Sequence, residues 1–258
     1  MTEIIPKLPV FFLVLIRLSA FFVTVPFFSY KTIPVKDRIF LAVVFAWIMS
    51  YTVEETVIKI DDAYAMLVLK EAVVGLSLGL LAYIIISAVQ IAGSFIDFQI
   101  GFAIANIIDP MTGTQSPLIG QFFQTIVLLL LITTNAHYML LDGIYYSYEY
   151  IPLQSVWPNF GDPAASTFIM KTFTAVFAIA FQMAIPVVAT VFLVDLALGI
   201  TAKTVPQLNI FVVGFPIKIG VSFIIMIVTM GVMVAVMQKL FRVMFEAMRD
   251  FMVILGGG

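Results

Sequence analysis

The stretch Gln99-Ile-Gly-Phe-Ala-Ile-Ala-Asn-Ile-Ile-Asp-Pro110-Met-Thr-Gly-Thr-Gln-Ser-Pro117 decides how this chain is read. Long apolar runs flank it on both sides, so its surroundings read as membrane. Inside it, Asp109 precedes Pro110, which lacks a backbone N–H and disfavours helix in the residue before it. Gly113 and Pro117 punctuate the chain again. Broken backbone at membrane depth leaves polar groups unsatisfied. It is tolerated only where protein buries it or where it borders a water-filled cavity. The stretch is therefore a loop between spans or a re-entrant element in a transport path.

Composition sets the class. The chain is 62% hydrophobic and 11% charged, with a mean hydropathy of +1.14. Soluble domains carry about 25% charged residues, so a polytopic, all-α membrane protein is the reading. A net charge of −2 carries no signature of a nucleic-acid partner. The absence of Cys removes disulfides, iron–sulfur clusters and thiolate zinc sites, and a single His argues against a histidine metal centre. No cofactor is expected. The N-terminus does not read as a signal peptide, because Glu3 accompanies Lys7, Arg17 interrupts the apolar run, and no small-residue cleavage site follows.

Hydrophobic segments fall near 8–28, 39–53, 64–92, 119–146, 168–202 and 208–237, with a further apolar stretch at 94–108. The second is short and the fifth long for a hydrocarbon core of about 30 Å, which points to tilted or protein-embedded helices. Linkers fall at 29–38, 54–62, 109–118 and 147–167. They suggest an N-terminal part over 1–146, a linker over 147–167 and a C-terminal helix pair over 168–258. Lys31, Lys36 and Arg38 mark the first linker as cytoplasmic. Six plain spans would then put the C-terminus outside, yet it carries Lys239, Arg242 and Arg249, so a simple six-span bundle fits poorly.

Ionisable residues stand inside the apolar runs: Arg17, Glu71, Asp97, Asp142, Lys171, Asp195 and Lys218. Charges at that depth are expensive and face protein or water. No pair of carboxylates has the close helical spacing of a relay, so interhelical pairing and subunit contact are favoured over an ion path. Enzyme motifs fail as well. Gly-x-Gly-Asp, Gly-x-Ser-x-Gly paired with His, His-Glu-x-x-His and the P-loop are all missing. His137, in Asn135-Ala-His137, reads as a packed, hydrogen-bonded residue.

Gly75 and Gly79 form a small-xxx-small pair, continued by Ser87, Ala88, Ala92 and Gly93, which signals close helix packing. Met226, Met230, Met233, Met237, Met244, Met248 and Met252 recur at steps of three to seven on one helical face. Such a stripe is deformable packing, and the first four are expected against a neighbouring subunit. Beyond them, Lys239, Arg242, Glu246, Arg249 and Asp250 oppose Leu240, Phe241, Met244, Met248 and Phe251 in an amphipathic tail helix. The tail is expected to dock on a membrane surface or a partner protein.

A second loaded segment runs Val205-Pro-Gln-Leu-Asn-Ile-Phe-Val-Val-Gly-Phe-Pro216. Pro206 is suited to opening a helix, whereas Gly214 and Pro216 are expected to disturb one and bend the chain after Phe211. The two segments together, Gln99-x-Gly101-x-x-x-Ala105-x-x-x-Asp109-Pro110 and Pro206-Gln207-x-x-x-Phe211-x-x-Gly214-Phe215-Pro216, resemble the two signatures of the FliR family of flagellar biosynthesis membrane proteins. That family has relatives in virulence type III secretion. Arg17, Pro26 and Ile33-Pro34 with Lys36 and Arg38 resemble the family's first hairpin.

The resemblance implies a subunit of the type III protein export gate in the bacterial inner membrane, at the flagellar basal body. Its implied partners are FliP-type and FliQ-type subunits, other membrane proteins of the export apparatus, unfolded export substrates and membrane lipid. It implies a FliP-like N-terminal part and a FliQ-like C-terminal pair, built as bent helical hairpins. Charged residues such as Arg17, Glu71, Lys171 and Asp195 become subunit contacts. The segment Asn106, Asp109, Pro110, Met111, Thr112, Gly113, Thr114, Gln115, Ser116 and Pro117 becomes a plug loop. The alternative from another class is a small-molecule or ion transporter with its site at the Asp97–Asp109 break.

Overall fold

Long apolar runs with few breakers give seven α-helices and no strand among the described residues. The computed structural model describes residues 8–30, 33–53, 58, 62–102, 117–155, 157–207 and 209–257. The helices are α1 (Leu8–Thr24), α2 (Val35–Ser50), α3 (Asp62–Ile100), α4 (Leu118–Thr133), α5 (Ala136–Tyr150), α6 (Pro163–Thr204) and α7 (Ile210–Gly256). Of these, α3, α6 and α7 are long and apolar enough to cross a membrane, and α4 with α5 makes a fourth such element if the pair is one broken span.

Several boundaries differ from the sequence expectation. The stretches 64–92 and 94–108 are one helix as far as Ile100, because Gly93 is accommodated within it. That helix stops at Gly101, nine residues ahead of Pro110. Gly101 takes φ +103°, a conformation that glycine adopts freely. The amides of Gly101 and Phe102 both donate to the Asp97 carbonyl, at 3.1 and 3.0 Å, which closes the helix end. Asp109-Pro110 itself lies outside the described residues. The run 119–146 is two helices, bent by 74° at a break where Asn135 is left-handed. The final helix runs unbroken through Phe211. Gly214 and Pro216 lie inside α7, Pro216 as its seventh residue, where it leaves the Val212 carbonyl without an intrahelical donor. The turn precedes them, and Asn209 caps α7, its Oδ1 accepting from the amides of Phe211 (3.1 Å) and Val212 (3.4 Å).

The described chain divides into two packed units. The first comprises the described parts of Met1–Ile85, Leu131–Phe173 and Phe241–Gly258, and the second Ile86–Leu130 and Thr174–Leu240. In the first unit, α1 lies on α3 through the glycine pair. A Cβ on Gly75 would stand 2.2 Å from the Arg17 carbonyl oxygen, and one on Gly79 would stand 2.1 Å from Thr24 Oγ1. Backbone-to-backbone approach of this kind is what small-xxx-small spacing permits. Phe27, with φ +76°, turns the chain from α1 toward α2, and Arg38 secures the turn by donating to the Tyr30 and Ile33 carbonyls. The tail of α7 packs inside this unit. Phe251 stacks on Phe168 at 5.7 Å, and the Leu255 carbonyl accepts from the Asn159 amide at 3.1 Å. Its apolar face is therefore already covered by the chain itself, contrary to the expectation of a free docking helix. In the second unit, α3 meets α4 where a Cβ on Gly93 would reach Gly120 Cα at 2.3 Å.

Candidate functional site

Three polar clusters stand among the apolar helices. The first lies in the first unit and is wholly buried. Arg17 on α1 pairs with Glu71 on α3 through Nε and Nη2, the latter at 3.0 Å from Oε1. Its Nη1 donates to Ser147 Oγ at 2.9 Å and Nη2 to the Ile151 carbonyl at 2.9 Å. The guanidinium also lies 4.0 Å from the centroid of the Tyr148 ring. Lys70 Nζ meets Glu71 Oε1 at 2.8 Å and donates to the carbonyls of Pro152 (2.8 Å) and Leu153 (3.0 Å). Two cations thus share one carboxylate. The surplus positive charge sits against the carbonyls of Ile151, Pro152 and Leu153, in the turn just after α5, near the negative end of that helix.

The second cluster closes α4. Asp97, on α3, accepts the amide of Ile119 at 3.0 Å and that of Gly120 at 3.4 Å, both through Oδ2. One residue therefore ends α3 with its carbonyl and caps α4 with its carboxylate. The third cluster links the first signature segment to α6 and α7. Gln99 Nε2 donates to Asp195 Oδ2 at 3.0 Å, and Lys218 Nζ lies 2.5 Å from Asp195 Oδ1 and 3.5 Å from the Gln99 carbonyl. Gln99 leads the first signature and Lys218 follows the second by two residues, so this contact gathers α3, α6 and α7.

Arg17 and Glu71, expected at subunit contacts, are instead fully buried against each other. Asp195 is half-exposed and paired within the chain, and Lys171 is exposed. Met226, Met233 and Met237 are buried in this chain and Met230 is partly so, which makes the stripe an internal seam. The outward face of the same helix carries Phe223, Ile224, Ile227, Val228 and Val232. Phe211 and Phe215 are exposed, as are Pro206 and Gln207, while Gly214 faces Leu198 on α6, whose Cδ1 lies 3.0 Å from a built Cβ. Gly101 ends α3. Ala105 and the plug-loop residues Asn106, Asp109, Pro110, Met111, Thr112, Gly113, Thr114, Gln115 and Ser116 lie outside the described residues, and Pro117 immediately precedes α4. Lys70, Ser147 and Tyr148 escaped sequence reading. Lys70 stands next to Glu71 in the same apolar run, and nothing in the sequence marks its acceptors, the carbonyls of Pro152 and Leu153.

The chain matches the model of the bacterial export proteins, family 1, over residues 8–244. The chain belongs to the FliR family. It is 56% identical to the flagellar biosynthetic protein FliR of Bacillus subtilis strain 168 over 257 residues, 99% of each chain. It is 25% identical to the FliR of Escherichia coli K12 over 94% of this chain and 92% of that one. It is also 27% identical to the Yop proteins translocation protein T of Yersinia pestis over 65% and 64% of the two chains. FliR-type proteins are structural and gating subunits of the type III protein export apparatus in the bacterial inner membrane, and this chain is one of them rather than an enzyme. The transporter alternative falls with that assignment.

Proposed function

We propose that this FliR-type chain completes the export gate by laying the outer faces of α6 and α7 against FliP-type and FliQ-type subunits. A FliP-like part over 1–146 and a FliQ-like pair over 168–258 would supply the two kinds of edge. The observation that carries this reading is the length of exposed apolar surface on α6. Large apolar side chains are exposed from Ile169 and Met170 through Phe177, Phe181 and Phe192 to Ile200. At about 1.5 Å per residue that run is about 47 Å long. A core of about 30 Å covers about 39 Å of a helix tilted by 40°, so lipid alone leaves part of the run bare. Exposed Lys171 within the run also needs water or a partner. On α7 only 17% of the most apolar window is buried by the chain itself.

Pro206, Gln207, Phe211 and Phe215 stand at the α6–α7 turn, where they would meet the next subunit. The segment 106–117 acts as the plug of the channel in this reading. Its support is the anchoring of the flanking chain: Gly101 ends α3 and Asp97 caps α4. The test is co-purification in mild detergent, with and without the sister subunits. The chain should be recovered monodisperse only in their presence, and cysteines at Phe181 and Ile227 should cross-link to them. A well-folded, protease-resistant monomer from a strain lacking the sisters would refute the assignment. For the plug, deleting Met111–Gln115 should preserve assembly and admit small ions when export is idle. An ion-tight deletion variant would reject that role.

A further inference from the structure

The outer side of α5 has no role in the reading above. Between Ala136 and Met170 the chain carries Asp142, Glu149 and Asp162 and neither Lys nor Arg. Asp142, Tyr146 and Glu149 are spaced by four and three residues, so they share one helix face, and all three are exposed. Neither carboxylate has an ion partner among the described residues. Beside this face, α5 and the last turns of α7 border a groove of about 420 Å³ whose walls include Met139, Phe245, Met248 and Met252. Gly143 lets Met248 come close to α5, since a Cβ there would lie 3.2 Å from Met248 Cε. Arg249 is the one cation on the lining, and it turns to Asp250 at 3.8 Å. Glu149 also edges a second cavity of about 400 Å³, lined in part by Tyr148, whose buried hydroxyl has no hydrogen-bond partner.

We propose that this face docks a basic, apolar segment of another protein. An Arg or Lys of that segment sits between Asp142 and Glu149 over the Tyr146 ring, and an adjacent apolar side chain enters the methionine-walled groove. Charge complementarity selects this occupant. Two carboxylates flanking an exposed phenol ring on one helix face suit a guanidinium or ammonium, and the ring adds a cation–π face. Methionine walls adapt to a foreign side chain. An anionic bilayer surface would be repelled by the two carboxylates. A second copy of the same acidic face would be repelled as well. The proposal does not rest on the reading of α6 and α7.

The test places a photo-reactive benzophenone side chain at Tyr146 in the full chain, expressed with the rest of its export apparatus. The expected adduct is with one protein, at a segment carrying Arg or Lys. Joint Asp142→Lys and Glu149→Lys should cut its yield about tenfold, as loss of a docked charge pair does. Changing the mapped base to Glu should restore it. If the doubly reversed chain is not recovered, Asp142→Asn with Glu149→Gln serves in its place, and a lower yield supports the proposal. Adducts with lipid, with another copy of this chain or with a segment lacking a base overturn it. So does an undiminished yield in a well-recovered double variant.

Discussion

Arg17 on α1 and Glu71 on α3 hold each other through two parallel contacts in the interior, and neither is exposed. The pair is not symmetric in consequence, because Lys70 shares the same carboxylate. Removing Arg17 leaves a balanced Lys70–Glu71 pair. Removing Glu71 leaves two buried cations and no anion. Breaking a buried pair costs about 3–5 kcal/mol. Glu71→Gln is therefore expected at or beyond the upper end of that range, and Arg17→Gln below it. Thermal unfolding of the purified complex, or chain recovery, ranks the two, and the reverse order would contradict the charge count.

The glycines divide by what surrounds them. Gly75→Ala and Gly93→Ala drive a methyl into backbone, at 2.2 Å from the Arg17 carbonyl oxygen and 2.3 Å from Gly120 Cα. The helices must separate, and a loss of at least about 1–3 kcal/mol is expected. Nothing lies within 4 Å of a Cβ on Gly220, also helical. Gly220→Ala should gain up to about 1 kcal/mol from helix propensity. Melting temperatures of the three variants check the contrast.

The two faces of α7 should fail differently. Met233→Asp and Met237→Asp bury an unpaired charge inside the chain and should reduce its recovery whether or not sister subunits are present. Leu at either position should cost less than about 1.5 kcal/mol. Ile227→Asp and Val228→Asp change the exposed face. They should leave the chain detectable in the membrane fraction but lose co-purified sister subunits, and with them the monodisperse form in detergent. Equal loss of the chain in both sets would mean that the outer face is also part of its own fold.

Asp97→Ala removes a cap that α4 has no other side chain to replace among the described hydrogen bonds. A loss of about 0.5–2 kcal/mol is expected, with Asn retaining much of it. The amides of Ile119 and Gly120 should exchange faster in the Ala variant than in the parent chain. Unchanged exchange at both would show the cap to be incidental.

The sequence alone determined that the chain is an all-α membrane protein, and its two signature segments identified the family. Apolar run length and motif spacing are local quantities, written along the chain. Helix ends were less legible. The break expected at Asp109-Pro110 is preceded by one at Gly101, because a glycine can end a helix wherever the last helical carbonyls still find donors, as the Asp97 carbonyl does, and no composition rule ranks one breaker over another. Asn135 hid a 74° bend within a run that reads as a single span. The polar clusters were decided only by tertiary structure. Arg17, Glu71, Asp97 and Asp195 stood out as charges in apolar surroundings, yet most of their partners lie far along the chain and some are backbone groups, the carbonyl of Ile151 for Arg17 and the amides of Ile119 and Gly120 for Asp97. Every residue has such groups. Which of them are left unpaired depends on where helices end and what packs against those ends. The methionine stripe followed the same logic. Its periodicity marked a buried face, and only packing settled that this chain buries it.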